Sequence, residues 1–200
     1  MAHNNIANER NRRSFLFIAA LLTCAFCQQT AIAQVDEEFI YTPDSFIHFR
    51  GSMVGTLEDL SFSDDQHLLN YPGFVLNACE YQLAIIYDFT LATDLPIELS
   101  FETEVHANTP GLQQKYHFFN WTTGTWDDNS NPCLCCGGPF EDVPFLNDTV
   151  TTIDLSDRLP DIVEPGTGRV RVATGYYQVG FILVFPWEIS LDHVFVTTVE

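Results

Sequence analysis

The chain predicts an all-β fold, an antiparallel two-sheet β-sandwich with a jelly-roll-like arrangement. Three observations carry this. Short apolar segments bounded by turn residues recur from Phe46 onward, and several of them alternate strictly with period two. No long stretch keeps the three- and four-residue apolar spacing of a helix, and prolines interrupt most candidates. The 17 phenylalanines and three tryptophans supply enough apolar side chain to offset ordering entropy, which excludes a disordered chain.

The first 33 residues are set apart. Arg10, Arg12 and Arg13 form a basic start, Ser14 to Phe26 is an uncharged apolar run, and Ala31-Ile32-Ala33 is a small-x-small cleavage site. That order predicts a secretory signal peptide over 1–33, with an apolar run too short for a comfortable membrane span. The mature protein is then expected to be secreted, periplasmic or displayed at a cell surface.

Residues 34–45 read as a partly ordered lead, and 46–200 as one sandwich domain. Phe46 to Phe49 suits an edge strand, and Gly51 to Gly55 a turn or short strand. Asp64, Asp65, Asn70, Pro72 and Gly73 have the composition of an irregular loop. Tyr81 to Phe89 is nearly continuous in apolar character, as a strand buried on both faces requires. In Leu99 to His106, Leu99, Phe101, Thr103 and Val105 fall on one face, with Ser100, Glu102, Glu104 and His106 opposite. Lys115 to Trp121 is an aromatic strand, followed by a turn at Thr122 to Thr125. Thr149 to Leu155 is β-branched, Leu155 to Ile162 allows one helical turn, and Arg169 to Thr174 alternates again. Phe181 to Phe185 is an apolar run. Trp187, Ile189 and Leu191 share a face and predict a core tryptophan. Val194 and Val196 then take over the apolar role with shifted parity, which predicts a bulge at Asp192-His193 or a last strand buried on both faces.

Charge narrows the partners. The 27 acids and 8 bases of the full chain become 26 and 5 once Glu9 and the three early arginines leave, a formal charge of −21. Such a surface repels phosphate backbones, so nucleic acid is excluded as a favoured partner. No segment after the signal reaches membrane-spanning length.

The segment from Phe119 to Asp192 resembles a jelly-roll domain of the galactose-binding-like superfamily, as found in large secreted bacterial proteins. The residues carrying the resemblance are Asn120 to Trp126, Val163 to Val172 and Trp187 to Val194. The resemblance implies a two-sheet sandwich that binds carbohydrate or other surface polymers, with a structural calcium ion in some members. The cysteine-rich insertion after Trp126 departs from that pattern.

Four groups of residues bear on chemistry. Cys79, Cys133, Cys135 and Cys136 remain after signal removal, an even number that favours two disulfides in an exported chain, with three pairings open. Cys-x-Cys-Cys beside a histidine is the sharper metal-binding alternative. Asp127, Asp128, Glu141 and Asp142 bracket the cysteine loop and are the candidate calcium ligands, although no Asp-x-Asp-x-Asp-Gly loop is present. No other cofactor is expected. His106 and His117 flank a predicted hairpin around Thr109-Pro110-Gly111 and can meet across it. Trp126, at the end of a turn and beside two acids, is the candidate exposed platform for a sugar ring.

No metalloprotease, nucleophile-elbow or phosphate-loop motif occurs. The expected function is therefore a non-enzymatic secreted module binding an extracellular glycan or surface protein through Trp126, Asp127 and Asp128. An acidic matrix protein cross-linked by calcium and an extracellular hydrolase are the alternatives.

Overall fold

The computed structural model describes residues 37–62, 66–75, 80–127, 140–178 and 187–200. The signal segment, Asp64, Asp65, Cys79, Asp128, Cys133, Cys135, Cys136 and the 181–185 run lie outside them.

Two antiparallel sheets stack face to face. Sheet I runs β10 (Thr149–Asp154), β6 (Glu98–Ala107), β12 (Ile189–Val199), β4 (Leu68–Tyr71), β3 (Ser52–Val54), with β1 (Glu38–Tyr41) also on β12. Sheet II runs β2 (Ser45–Arg50), β5 (Leu83–Thr90), β11 (Arg169–Gln178), β7 (Leu112–Asn120), β8 (Thr125–Trp126), with β9 (Glu141–Asp142) also on β7. The longer strands β5, β6, β7, β10, β11 and β12 draw on both sheets, so the chain crosses repeatedly between layers in jelly-roll fashion. No helix among the described residues is long and apolar enough to cross a membrane.

Period two sets which side chains meet. Leu99, Phe101, Val105 and Ala107 of β6 are buried against Leu83, Ile85, Tyr87 and Phe89 of β5 and Val170, Val172 and Tyr176 of β11 in one core cluster. At its centre Phe101 meets Tyr116, Phe118 and Phe89 edge-on, with ring centroids 5.6, 6.0 and 6.5 Å apart. Trp187 is buried, as its alternation with Ile189 predicts, and its indole N–H donates to Gln82 Oε1 at 3.3 Å. The short 3-10 turn Ser156–Arg158 and the single helical turn Leu159–Ile162 follow β10 directly.

The bulge expected from parity is present. Leu191 pairs with Val105 and His193 with Glu104, leaving Asp192 as the extra residue. Its effect is to keep Leu191 and Val194 both pointing inward.

Two expectations are corrected, those for residues 68–71 and for the β6–β7 connection. Leu68–Tyr71 is a strand, not irregular loop, and Asn70 is fully buried within it, donating from its side chain to Leu68 O at 2.8 Å. β1 falls in the 34–45 lead and pairs along its length with Tyr41↔Val196 to Glu38↔Val199. β6 and β7 do not form a hairpin, because the turn between them changes sheets. His106 and His117 therefore lie on the outer faces of opposite layers and cannot meet.

Candidate functional site

The outer face of sheet II brings three half-buried aromatic side chains, Phe119, Trp121 and Trp126, together with Arg169 and Arg171. β7 buries Leu112, Tyr116 and Phe118 inward, so period two turns Lys115, His117 and Phe119 outward. A four-residue turn over 121–124 folds the chain back, and Gly124 takes a positive φ of 70° within it. The return pairs Trp126 with Phe119, the two rings meeting edge-on at 5.4 Å. Trp121 packs on the other side of Phe119, 4.8 Å away and tilted by 70°. Its backbone N–H is pinned by Asp161 O at 2.7 Å, while its indole Nε1 is buried without a hydrogen bond. All three rings are half-buried, so part of each surface meets solvent.

Arginines edge this aromatic group. Arg169 lies 5.6 Å from the Trp121 ring, and Arg171 lies 5.8 Å from Trp121 and 5.9 Å from Phe119. Each is balanced by an acid. Arg171 donates through Nε and Nη2 to both Asp88 oxygens at 2.7 and 3.0 Å, a bidentate pair across β11 and β5. The Asp88 hydrogen bond holds the Arg171 guanidinium above its ordinary pKa against the opposing effect of burial. Arg169 faces Glu164 at 3.7 Å. The result is a rim rich in fixed donors and acceptors with little net charge.

The proposed sugar contacts are distributed unevenly by the fold. Trp126 belongs to the aromatic group. Asp127 turns away from it: one oxygen accepts from Phe118 N at 3.1 Å and the other faces Arg158 Nη1 at 3.4 Å. Its role in the fold is to hold the β7–β8 return against the Leu155–Ile162 segment. Glu141 and Asp142 form β9 on the edge of β7, opposite Gln114 and Gln113, with their side chains exposed. Phe119, Trp121, Asp88, Arg169 and Arg171 were not among the residues singled out as contacts. The outward parity of Phe119 was readable. The approach of Asp88 to Arg171, 83 positions apart, was not.

No family model matches the chain. No curated protein matches it either. Among solved structures, it is similar to TmCBM61 in complex with β-1,4-galactotriose, at 9% identity and a TM-score of 0.40, covering 76% of this chain and 86% of that one. The xylan-binding module CBM15 shares 12% identity over 82% of this chain and 97% of its own, at a TM-score of 0.37. The CBM22-1–GH10 modules of Clostridium thermocellum xylanase 10B, complexed with xylohexaose, give 9% and 0.45, covering 82% of this chain and 28% of that one. At these identities and scores, the similarity says nothing of what this chain binds.

Above the arginines, the same face carries a lid of its own. Tyr81 lies over Gly175 of β11 and shares a hydrogen bond with His117 Nε2 at 3.0 Å, while Tyr177 and Phe140 pack beside it. A Cβ at Gly175 would stand 2.6 Å from three Tyr81 ring atoms. Gly175→Ala is expected to lift Tyr81 and lower stability by about 1–3 kcal/mol, the usual range for overpacking a filled site. Thermal melting monitored by tyrosine fluorescence checks this, and an unchanged melting temperature would show that Tyr81 does not lie on the strand.

A separate cavity of about 300 Å3 opens on sheet I between Glu38, Glu98, Ser100 and Asp154. It has no aromatic lining and lies on the other layer from the aromatic group.

Proposed function

We propose that the chain is a secreted, non-catalytic carbohydrate-binding sandwich, of the galactose-binding-like kind its motifs resemble. In this reading the outer face of sheet II takes a neutral glycan. The observation that carries it is the Phe119, Trp121 and Trp126 group, half-exposed on the outer face of sheet II and edged by acid-balanced arginines. A sugar ring has an apolar face that suits an aromatic ring, and an equator of hydroxyls that suits paired guanidinium and carboxylate groups. Balancing each arginine with an acid removes the attraction that would favour an anionic polymer. Rigid strands on both sides keep the rings in place before ligand arrives, which limits the ordering cost of binding.

Affinity electrophoresis against a panel of neutral polysaccharides tests this. The wild-type chain is expected to be retarded by at least one of them, and Trp126→Ala and Trp121→Ala to weaken that binding about 30-fold, as losing a tryptophan anchor of about 2 kcal/mol does. Val54→Ala, on the exposed edge of sheet I, is the control and should bind as wild type. Retardation that persists in a Trp121→Ala, Trp126→Ala double variant would overturn the assignment of the site.

A further inference from the structure

The outer face of sheet I carries a group of side chains with a different chemistry. His106 points outward from β6 between the buried Val105 and Ala107. His67 immediately precedes β4, and its ring crosses over β12 to meet His106 edge-on at 5.2 Å. Asp148 immediately precedes β10. Its Oδ1 lies 2.6 Å from His106 Nδ1 and 3.4 Å from His67 Nε2. The small Ser190 side chain, opposite both His106 and Leu69 on β12, leaves room for the two rings to meet.

We propose that His67, His106 and Asp148 form a binding site for one divalent transition-metal ion, with Zn2+ as the reference ion. Three facts favour this over a plain hydrogen-bonded cluster. One ligand atom from each residue falls within 4.8 Å of the other two. A tetrahedral ion with bonds near 2.1 Å needs ligand atoms about 3.4 Å apart, which is the His67–Asp148 separation, and rotating the partly exposed Asp148 opens the His106 contact to match. His67 Nε2 is buried and faces Asp148 Oδ1 at 3.4 Å with no hydrogen bond of ordinary geometry, so this nitrogen is directed into the group.

The donor set selects the class of ion. Two imidazoles and one carboxylate suit Zn2+, Cu2+ or Ni2+, whereas Ca2+ takes six to eight oxygens. The group also differs from its neighbour on the same face. There two carboxylates, Glu102 and Glu104, lie 3.0 Å from the nitrogens of a single imidazole, His193, and Phe195 stacks on its ring at 4.5 Å. In the proposed site one carboxylate sits between two imidazoles instead. A metal here joins the start of β4, the end of β6 and the start of β10, tying three distant segments of one layer together.

Titration calorimetry with Zn2+ on the metal-free chain tests the site, with thiols alkylated in a parallel sample so that Cys79, Cys133, Cys135 and Cys136 cannot bind. One ion per chain is expected, with and without alkylation. Loss of one of three protein ligands should weaken it by more than the roughly 10- to 100-fold that removing an outer-sphere partner costs. His67→Ala, His106→Ala and Asp148→Asn should each show this. Zn2+ should also raise the melting temperature of the wild type and not of the three variants. Should an alanine variant melt early in chelator, His67→Gln and His106→Gln keep the volume and give the same reading. No uptake, uptake abolished by alkylation, or uptake unchanged in the variants would each overturn the proposal. The site lies on the opposite layer from the aromatic group, so polysaccharide binding and Zn2+ binding succeed or fail independently.

Discussion

Phe101→Ala is expected to destabilise the fold by about 3–5 kcal/mol, the range for truncating a buried phenylalanine to alanine. Phe101 is fully buried on β6 and reaches across the sandwich to rings from two strands of the other layer, Phe89 on β5 and Phe118 and Tyr116 on β7. Truncation removes the ring from all three edge-to-face contacts and leaves a void bounded by side chains fixed to two rigid sheets. Neither sheet can move inward without breaking register at its neighbours, so little of the cavity can collapse. Urea unfolding would show the midpoint falling with an unchanged slope. Phe74→Ala is the counterpart, since Phe74 is 86% exposed and its loss should shift stability by no more than about 0.5 kcal/mol. Equal midpoints for the two variants would mean that the layers do not meet around Phe101.

What the sequence revealed and what it hid divide along one line, the range of the interaction. The alternation of Leu99, Phe101, Thr103 and Val105 is a local signal, and all four are buried on one face. The bulge was also local, since a parity change across Asp192-His193 has few geometric solutions. Partner choice is not local. Thr109, Pro110 and Gly111 make an acceptable turn whether the next strand returns beside β6 or crosses to the other sheet, and here it crosses. β6 instead pairs with β10 and β12, which begin roughly 40 and 80 residues later. β4 was hidden for a different reason. Asn70 and Pro72 have turn composition, and burial of the Asn70 side chain is compensated by its bond to Leu68 O.

The same division holds at the aromatic site. Trp121 and Trp126 flank one turn, so their nearness could be read directly. Asp127, next to Trp126, looked like part of the same rim, yet it lies just past the two-residue strand β8 and its carboxylate is taken up by Phe118 N and Arg158. The arginines that edge the rings arrive on β11, and Asp88 on β5, only because the sheet order is β5, β11, β7. The histidine group on the other layer depends likewise on the order β10, β6, β12, β4, which brings residues 67, 106 and 148 together.

Gly51→Ala is expected to cost about 3 kcal/mol or more, through backbone geometry and not core volume. β2 belongs to sheet II and β3 to sheet I, and Gly51 is the single residue between them, so the chain changes layers within one peptide unit. That corner requires a φ of 94°, a region where a side chain is strained. It also requires close approach, because a Cβ on Gly51 would stand 2.1 Å from Tyr71 O and 3.3 Å from Gly73 N. Backbone atoms of β4 and of the link to β5 cannot swing aside as a side-chain tip can, so the corner must open. Opening it pulls β2 from its register with β5 or β3 from β4, both edge pairings that few other contacts hold. Gly111→Ala isolates the dihedral part of the cost. Gly111 has a φ of 79°, but nothing lies within 4 Å of its added Cβ, so only about 1–2 kcal/mol of left-handed strain applies. Chemical denaturation of both variants should therefore rank Gly51→Ala well below Gly111→Ala in stability. Equal losses would show that the corner has slack and that the layer change does not depend on a missing side chain.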